Sequence, residues 1–307
     1  MPQISIIGAG NVGAQAASLI AQKSLADVVL IDIEPDMPRG KALDIQQSLP
    51  LFNSNVKVTG GSDYTLTKNS DIIIIVAGIP RKPGMTREQL VETNAKIVAD
   101  VTKKAAPLSK NAILIIVTNP LDVMAYVAKQ VSKFPKERVI GMAGILDSSR
   151  FRAFLAQEAS VSPQHVSVVV LGSHGEEMVP MERLALINNK PAIDIIGKKK
   201  MDEIVERTKN AGAEIVSLLK TGSAYYAPAA AITEMVESIL KDQKKTLPCS
   251  AYLDGEYDTK DVYIGVPVTL GKTGIKKIIE LKFNPEEKKR FNNAVKSIKD
   301  MIAHIKL

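Results

Sequence analysis

An apolar strand that runs into Gly-x-Gly-x-x-Gly and straight on into a helix leaves a chain few ways to fold, and ISIIGAGNVGAQAASLI does this at residues 4–20. Gly8 permits the tight turn, Gly10 lets backbone amides approach a pyrophosphate, and Gly13 lets helix and strand pack closely, while the helix dipole favours the anion. Asp32 ends the next apolar run, VVLID. A carboxylate there accepts both hydroxyls of an adenosine ribose and repels a 2′-phosphate, and DIEPDMP offers no immediate arginine to receive one. NAD is therefore expected over NADP.

The rest of the first half repeats this alternation. Strands are expected at 4–7, 28–32, 56–59, 72–77, 113–117 and 139–141, with helices at 11–23, 38–48, 86–106 and 120–132. Strands so uniformly apolar, joined by helix-length connections, indicate an α/β fold: a Rossmann-type doubly wound parallel sheet covered on both faces. Ligands of such sheets bind at the carboxyl ends of the strands. After about residue 145 the pattern changes to a helix at 148–158, strands at 166–170 and 178–187, helices at 199–219 and 224–241, strands at 247–253, 261–269 and 274–281, and a helix from Pro285. That mixture predicts a second, α+β catalytic domain. The division expected is 1–144 for NAD and 145–307 for substrate, with an approximate cut.

Composition narrows the classes. The chain has 307 residues, 45% of them hydrophobic, and no apolar run approaches the roughly 18 residues that cross a bilayer. No membrane partner is expected. MPQ passes directly into ISIIGAG without a basic or long apolar leader, so a cytoplasmic protein is expected. One cysteine, Cys249, excludes an intramolecular disulfide and a thiolate zinc site, and no metal is expected. The formal charge of +7 lies in scattered clusters at 198–200, 244–245, 276–277 and 288–290, with aromatics at only 4%. Nucleic acid fits that pattern poorly. A positive field drawing in small anions fits it better.

One loop asks for an anion directly. In DIIIIVAGIPRKPGMTR, at 71–87, a strand apolar enough to be buried meets Arg81, Lys82 and Arg87. Thr86 and Gln89 make a capping box, which puts Arg87 in a first helical turn, where the macrodipole disfavours a cation by about 0.3–1 kcal/mol. Arg81 sits on a segment broken by Pro83 and Gly84 that suits a lid. LDSSRF sets Asp147 and Arg150 on one helix face, although an N-cap and a surface cation would read the same way. GSHGEEM carries His174 between glycines after an apolar strand; the other two histidines, His165 and His304, lie on polar segments. VTNPLD ends a strand at Asn119, which helix capping ahead of Pro120 would also explain.

Taken in order over nearly the whole chain, GAGNVG, IDI, GIPRKPGMTR, VTNPLD, LDSSRF and GSHGE resemble the lactate and malate dehydrogenase family. The resemblance implies that His174 carries the proton, Asp147 orients it, Arg150 grips the carboxylate beside the reacting carbon and Arg87 polarises the carbonyl. It further implies that Asn119 hydrogen-bonds substrate and Arg81 holds a distal carboxylate. Its cofactor-binding positions fall on Gly8, Gly10, Asn11, Val12, Gly13, Asp32, Ala77, Gly78, Asn94, Val117 and Asn119. Family members acting on lactate are similar to one another in a neutral glutamine at the position of Arg81, whereas arginine goes with malate and oxaloacetate. The expected substrate is thus a dicarboxylate, malate or oxaloacetate, with lactate or another 2-hydroxyacid as the alternative. Small Ala224, in TGSAYYAPAAA, agrees with the malate reading.

The chemistry needs these residue types. A 2-hydroxyacid loses a hydride and a proton, and a histidine titrating near neutrality serves as base in one direction and acid in the other. An arginine fork matches a carboxylate bidentately. A non-catalytic dinucleotide sensor would leave His174, Asp147 and the arginines unexplained, and a metal-dependent alcohol dehydrogenase lacks its ligands. The family resemblance also implies a homodimer or homotetramer.

Overall fold

A computed structural model describes residues 1–80, 84–175 and 177–305. The alternation produces β1 (Gln3–Ile7), α1 (Asn11–Gln22), β2 (Asp27–Ile31), α2 (Asp36–Ser48), β3 (Val58–Gly61), β4 (Ile72–Ile75), α3 (Arg87–Ala105), β5 (Ile113–Ile116), α4 (Leu121–Ser132) and β6 (Val139–Gly141). These strands pair in parallel in the order β3-β2-β1-β4-β5-β6. Every residue of β4 and β5 is buried, because helices cover both faces of the sheet. Ile7, Ile31, Ile75 and Ile116 stand in register, so the carboxyl ends of β1, β2, β4 and β5 form one edge.

The second half contains α5 (Gly144–Glu158), β7 (Val166–Ser167), β8 (Val170–Gly172), β9 (Met178–Pro180), β10 (Leu186–Ile187), β11 (Lys190–Pro191), α6 (Ala192–Ile196), α7 (Lys198–Leu219), α8 (Tyr226–Leu240), β12 (Lys245–Asp254), β13 (Lys260–Gly271), β14 (Gly274–Ile278) and α9 (Pro285–Ala303). β12 joins β6 at Ser250 opposite Gly141, and β13 carries β8 at Gly265 opposite Gly172. The parallel sheet therefore continues, without a break, into antiparallel strands. A smaller sheet, β11-β10-β7, stands apart and covers a second core around Phe151, Leu155, Met201 and Ile204.

Three expectations change. The run 166–170 is not one strand: β7 pairs in the small sheet and β8 in the large one, with Ser167 exposed and all of β8 buried. The run 178–187 is interrupted by a 3-10 turn at Glu182–Leu184. The helix expected from 148 begins at Gly144, which puts Asp147 inside its first turn rather than at a cap. Cys249 is fully buried, and burial pushes its thiol up to about 12, so it is packing rather than chemistry.

α8 packs against α1 and ties the halves together. Glu237 accepts from Lys23 at 2.6 Å and from Lys241 at 2.7 Å. These two ammonium groups, Lys23 first, hold its carboxyl down at about 2. A depressed carboxylate stabilises the fold above its unfolded value, and the contribution fades as pH falls through the folded one. Glu237→Gln should therefore lower stability by about 1 kcal/mol at neutral pH, and urea melts should show the gap narrowing below about pH 4.5.

Candidate active site

The edge formed by the carboxyl ends of β1, β2, β4 and β5 carries the glycine loop. Gly8 adopts φ +107°, and a Cβ there would lie 2.7 Å from the Ala77 nitrogen; one on Gly13 would lie 2.0 Å from the Gly8 carbonyl oxygen. Both glycines are needed for α1 to start against β1 and β4. Gly10 differs, because a Cβ there meets nothing within 4 Å, so its open side faces the crevice. Asp32 accepts from the Ala9 N–H at 2.7 Å and from the Ile33 N–H at 2.8 Å. Each oxygen keeps a lone pair for a ribose hydroxyl. Lys41 on α2 donates to the Ala9 carbonyl at 2.7 Å and fixes the loop from its other side.

The far wall comes from β4, β5 and α3. Asn94, buried on α3, accepts from the Ile79 N–H at 2.9 Å and donates to the carbonyls of Ile79 at 3.1 Å and Asn119 at 2.7 Å. It thereby spaces the ends of β4 and β5, with Ala77, Gly78 and Val117 between them. Gly78 is exposed at the crevice, Asn11 is exposed and Val12 half-buried at the start of α1. Asn119 leaves its side chain exposed; Pro120, joined to it by a cis peptide bond, takes the position before α4, so Asn119 does not cap that helix.

The second half brings three of the expected groups together. Asp147 on α5 is 1% exposed, and its carboxylate meets His174 Nδ1 at 2.8 Å and Arg150 Nη1 at 3.5 Å. Burial by itself would depress His174, yet the charge and hydrogen bond of Asp147 outweigh it, and the imidazole ends raised above its ordinary value. Burial lowers Arg150 in turn, against the pull of Asp147. Its guanidinium remains a cation. Nε of Arg150 is buried without a hydrogen-bond partner among the described residues, so Asp147 does not satisfy the whole guanidinium.

Arg87 occupies the first position of α3, behind a complete Thr86/Gln89 capping box, and is exposed. It lines a cleft of about 470 Å³ with Val91, Glu177, Lys296 and His304, between α3 and α9. Arg81 lies outside the described residues. Sequence reasoning passed over Asp122, which is buried against the His174 loop; a carboxylate two residues after Pro120 was the only signal.

Comparison with known proteins bears on the family and the fold. Residues 2–141 match lactate/malate dehydrogenase, NAD binding domain, and residues 145–306 match lactate/malate dehydrogenase, alpha/beta C-terminal domain. A malate dehydrogenase from Roseiflexus sp. (strain RS-1) is 52% identical over 305 residues, 99% of each chain. The structure of malate dehydrogenase from Salinibacter ruber superposes with a TM-score of 0.95 at 44% identity, covering 98% of this chain and 97% of that one. Lactate dehydrogenase from Cryptosporidium parvum, complexed with lactic acid and nicotinamide adenine dinucleotide, superposes with a TM-score of 0.95 at 41% identity over 98% and 97%.

Proposed function

The chain belongs to the lactate/malate dehydrogenase family, and from that membership we infer an NAD-dependent oxidoreductase that interconverts malate and oxaloacetate. The observation that carries the chemistry is the Asp147–His174 contact at 2.8 Å beside the unsatisfied Nε of Arg150. Residues 1–144 are proposed to form the NAD-binding domain and residues 145–307 the substrate-binding, catalytic domain, with Arg81, Arg87 and Asn119 reaching the substrate from the first.

The proposed division of labour is the one the family resemblance implies, and the geometry supports part of it. The glycine loop at Gly8, Gly10 and Gly13, with Asn11 and Val12, would face the pyrophosphate, Asp32 the adenosine ribose, and Ala77, Gly78, Asn94, Val117 and Asn119 the remaining length of the cofactor. The open side of Gly10 and the free lone pairs of Asp32 fit such a ligand. Bound NAD supplies the hydride acceptor. Because Nδ1 of His174 is engaged by Asp147, Nε2 is left to exchange the substrate proton, as base toward malate and as acid toward oxaloacetate. Arg150 would take the carboxylate beside the reacting carbon in a bidentate pair. Arg87 would bring positive charge to the carbonyl oxygen and Asn119 a hydrogen bond, with Arg81 receiving the second carboxylate.

A lactate reading draws on the Cryptosporidium parvum lactate dehydrogenase, whose fold is equally close. Overall likeness does not separate the two substrates, and Arg81 is the residue that favours the diacid. Steady-state NADH oxidation with oxaloacetate and with pyruvate, repeated with NADPH, tests the reading; a kcat/KM higher for pyruvate would reverse it. Asp32→Ala should lower the preference for NADH over NADPH by about tenfold or more, since it removes a charge that opposes the 2′-phosphate. The same kinetics read that ratio. A homodimer or homotetramer in the cytoplasm is proposed as well. Exposed Leu43 in the middle of α2, and Leu51 and Phe52 just after it, offer a partner subunit apolar surface, and sedimentation velocity checks the state. No described helix is long and apolar enough to cross a membrane.

A further inference from the structure

We propose that Asp122 is a positioning residue for proton transfer, its carboxylate holding Ser173 and the backbone of His174 against the start of α4. The proposal rests on the role given above to His174. Asp122 is the second residue of α4 and is 2% exposed. One carboxylate oxygen accepts from Ser250 Oγ on β12 at 2.7 Å. The other accepts from Ser173 Oγ at 3.0 Å and from the His174 N–H at 3.3 Å. Two elements of the second half, β12 and the loop after β8, thus converge on one side chain of the first half. Asn119 lies three residues earlier, its carbonyl held by Asn94. A single helix start therefore fixes two groups expected to touch substrate.

A carboxylate is an expensive choice for a joint. Burial raises the pKa of Asp122, against the hydrogen bonds of Ser250 and Ser173, and taking an ionised group out of water costs several kcal/mol. A neutral amide or hydroxyl would join the same elements without that cost. The charge is explained if it acts on the group it holds. Among the described residues, the charged groups acting on His174 are Asp147 and Arg150 from α5 and Asp122 from α4; the two carboxylates favour the imidazolium and the guanidinium opposes it. Asp122 would then set both where the imidazole sits and how readily it keeps its proton.

Two full-length variants separate these effects. Asp122→Asn keeps the shape and removes the charge, since its amide oxygen can accept from Ser173 and the His174 N–H while its NH2 faces the Ser250 hydroxyl, which can accept. It should lower kcat for oxaloacetate reduction by about tenfold to a hundredfold, retain NADH affinity measured by nucleotide fluorescence, and move the histidine limb of kcat/KM toward acid. Ser173→Ala cuts one tether and leaves the charge, so it should lower kcat less and leave the limb in place. Parental kcat and an unmoved limb in Asp122→Asn would overturn the proposal. So would a loss in which kcat, NADH affinity and thermal midpoint fall together while the limb stays put, because that describes a structural joint only. If Asp122→Asn does not fold, parental kcat in Ser173→Ala overturns it instead. Activity retained by His174→Asn would remove the underlying reading, whereas an inactive His174→Asn beside a parental Asp122→Asn removes this proposal alone.

Discussion

His174→Asn should lower kcat by about 10²–10⁴ in both directions while NADH still binds. Asparagine keeps a hydrogen-bonding atom near the position of Nδ1, so Asp147 retains a partner and the loop after β8 keeps its anchors on Asp122. The loss is confined to the proton. An amide neither takes it from malate nor returns it to oxaloacetate. The pH dependence gives the sharper test. Because Asp147 holds the imidazole raised above its usual value, parental oxaloacetate reduction should be strongest below that raised value and fall as pH rises past it. Malate oxidation should rise over the same interval, since it needs the neutral base. Both limbs should vanish from the residual activity of the variant. A limb that persists in His174→Asn would assign the proton to another group.

What could be read from the sequence divides along a physical line. The parallel sheet was legible because burial on both faces leaves runs such as IIII at 72–75 no alternation to confuse with an amphipathic strand. The capping box at Thr86 and Gln89 was legible because its partners lie three residues apart and need nothing from elsewhere. The run 166–170 misled because its two ends answer to different sheets, and no local pattern records which sheet a strand joins. Asp147 read equally well as an N-cap, and only the earlier start of α5 at Gly144 places it inside the helix and against His174. The pairing of those two residues came from family resemblance, since they are separated along the chain and meet only in the fold. Asp122 was invisible for a related reason. A carboxylate in a first helical turn is ordinary chemistry with the helix dipole. Its partners Ser173 and Ser250 come from distant segments.

On the proposed reading Arg81 carries substrate choice, a role no backbone likeness decides, and Arg81→Gln should reveal it. The change should lower kcat/KM for oxaloacetate by about 10⁴ and leave pyruvate reduction unchanged or improved. Oxaloacetate and pyruvate present the same carbonyl and the same adjacent carboxylate, so in the proposed roles His174, Asp147, Arg150 and Arg87 would serve both alike. They differ at the far carbon, where one has a carboxylate and the other a methyl group. A guanidinium meets that carboxylate with two parallel, charge-assisted hydrogen bonds, which a glutamine amide cannot supply. With pyruvate the same guanidinium would be drawn from water without a partner, a cost the amide avoids. The two substrates therefore respond in opposite senses, and the ratio of their kcat/KM values is the quantity to follow. Equal losses on both would mean that Arg81 orders the loop rather than reads the ligand, and specificity would then have to be sought at Ala224 and the start of α8.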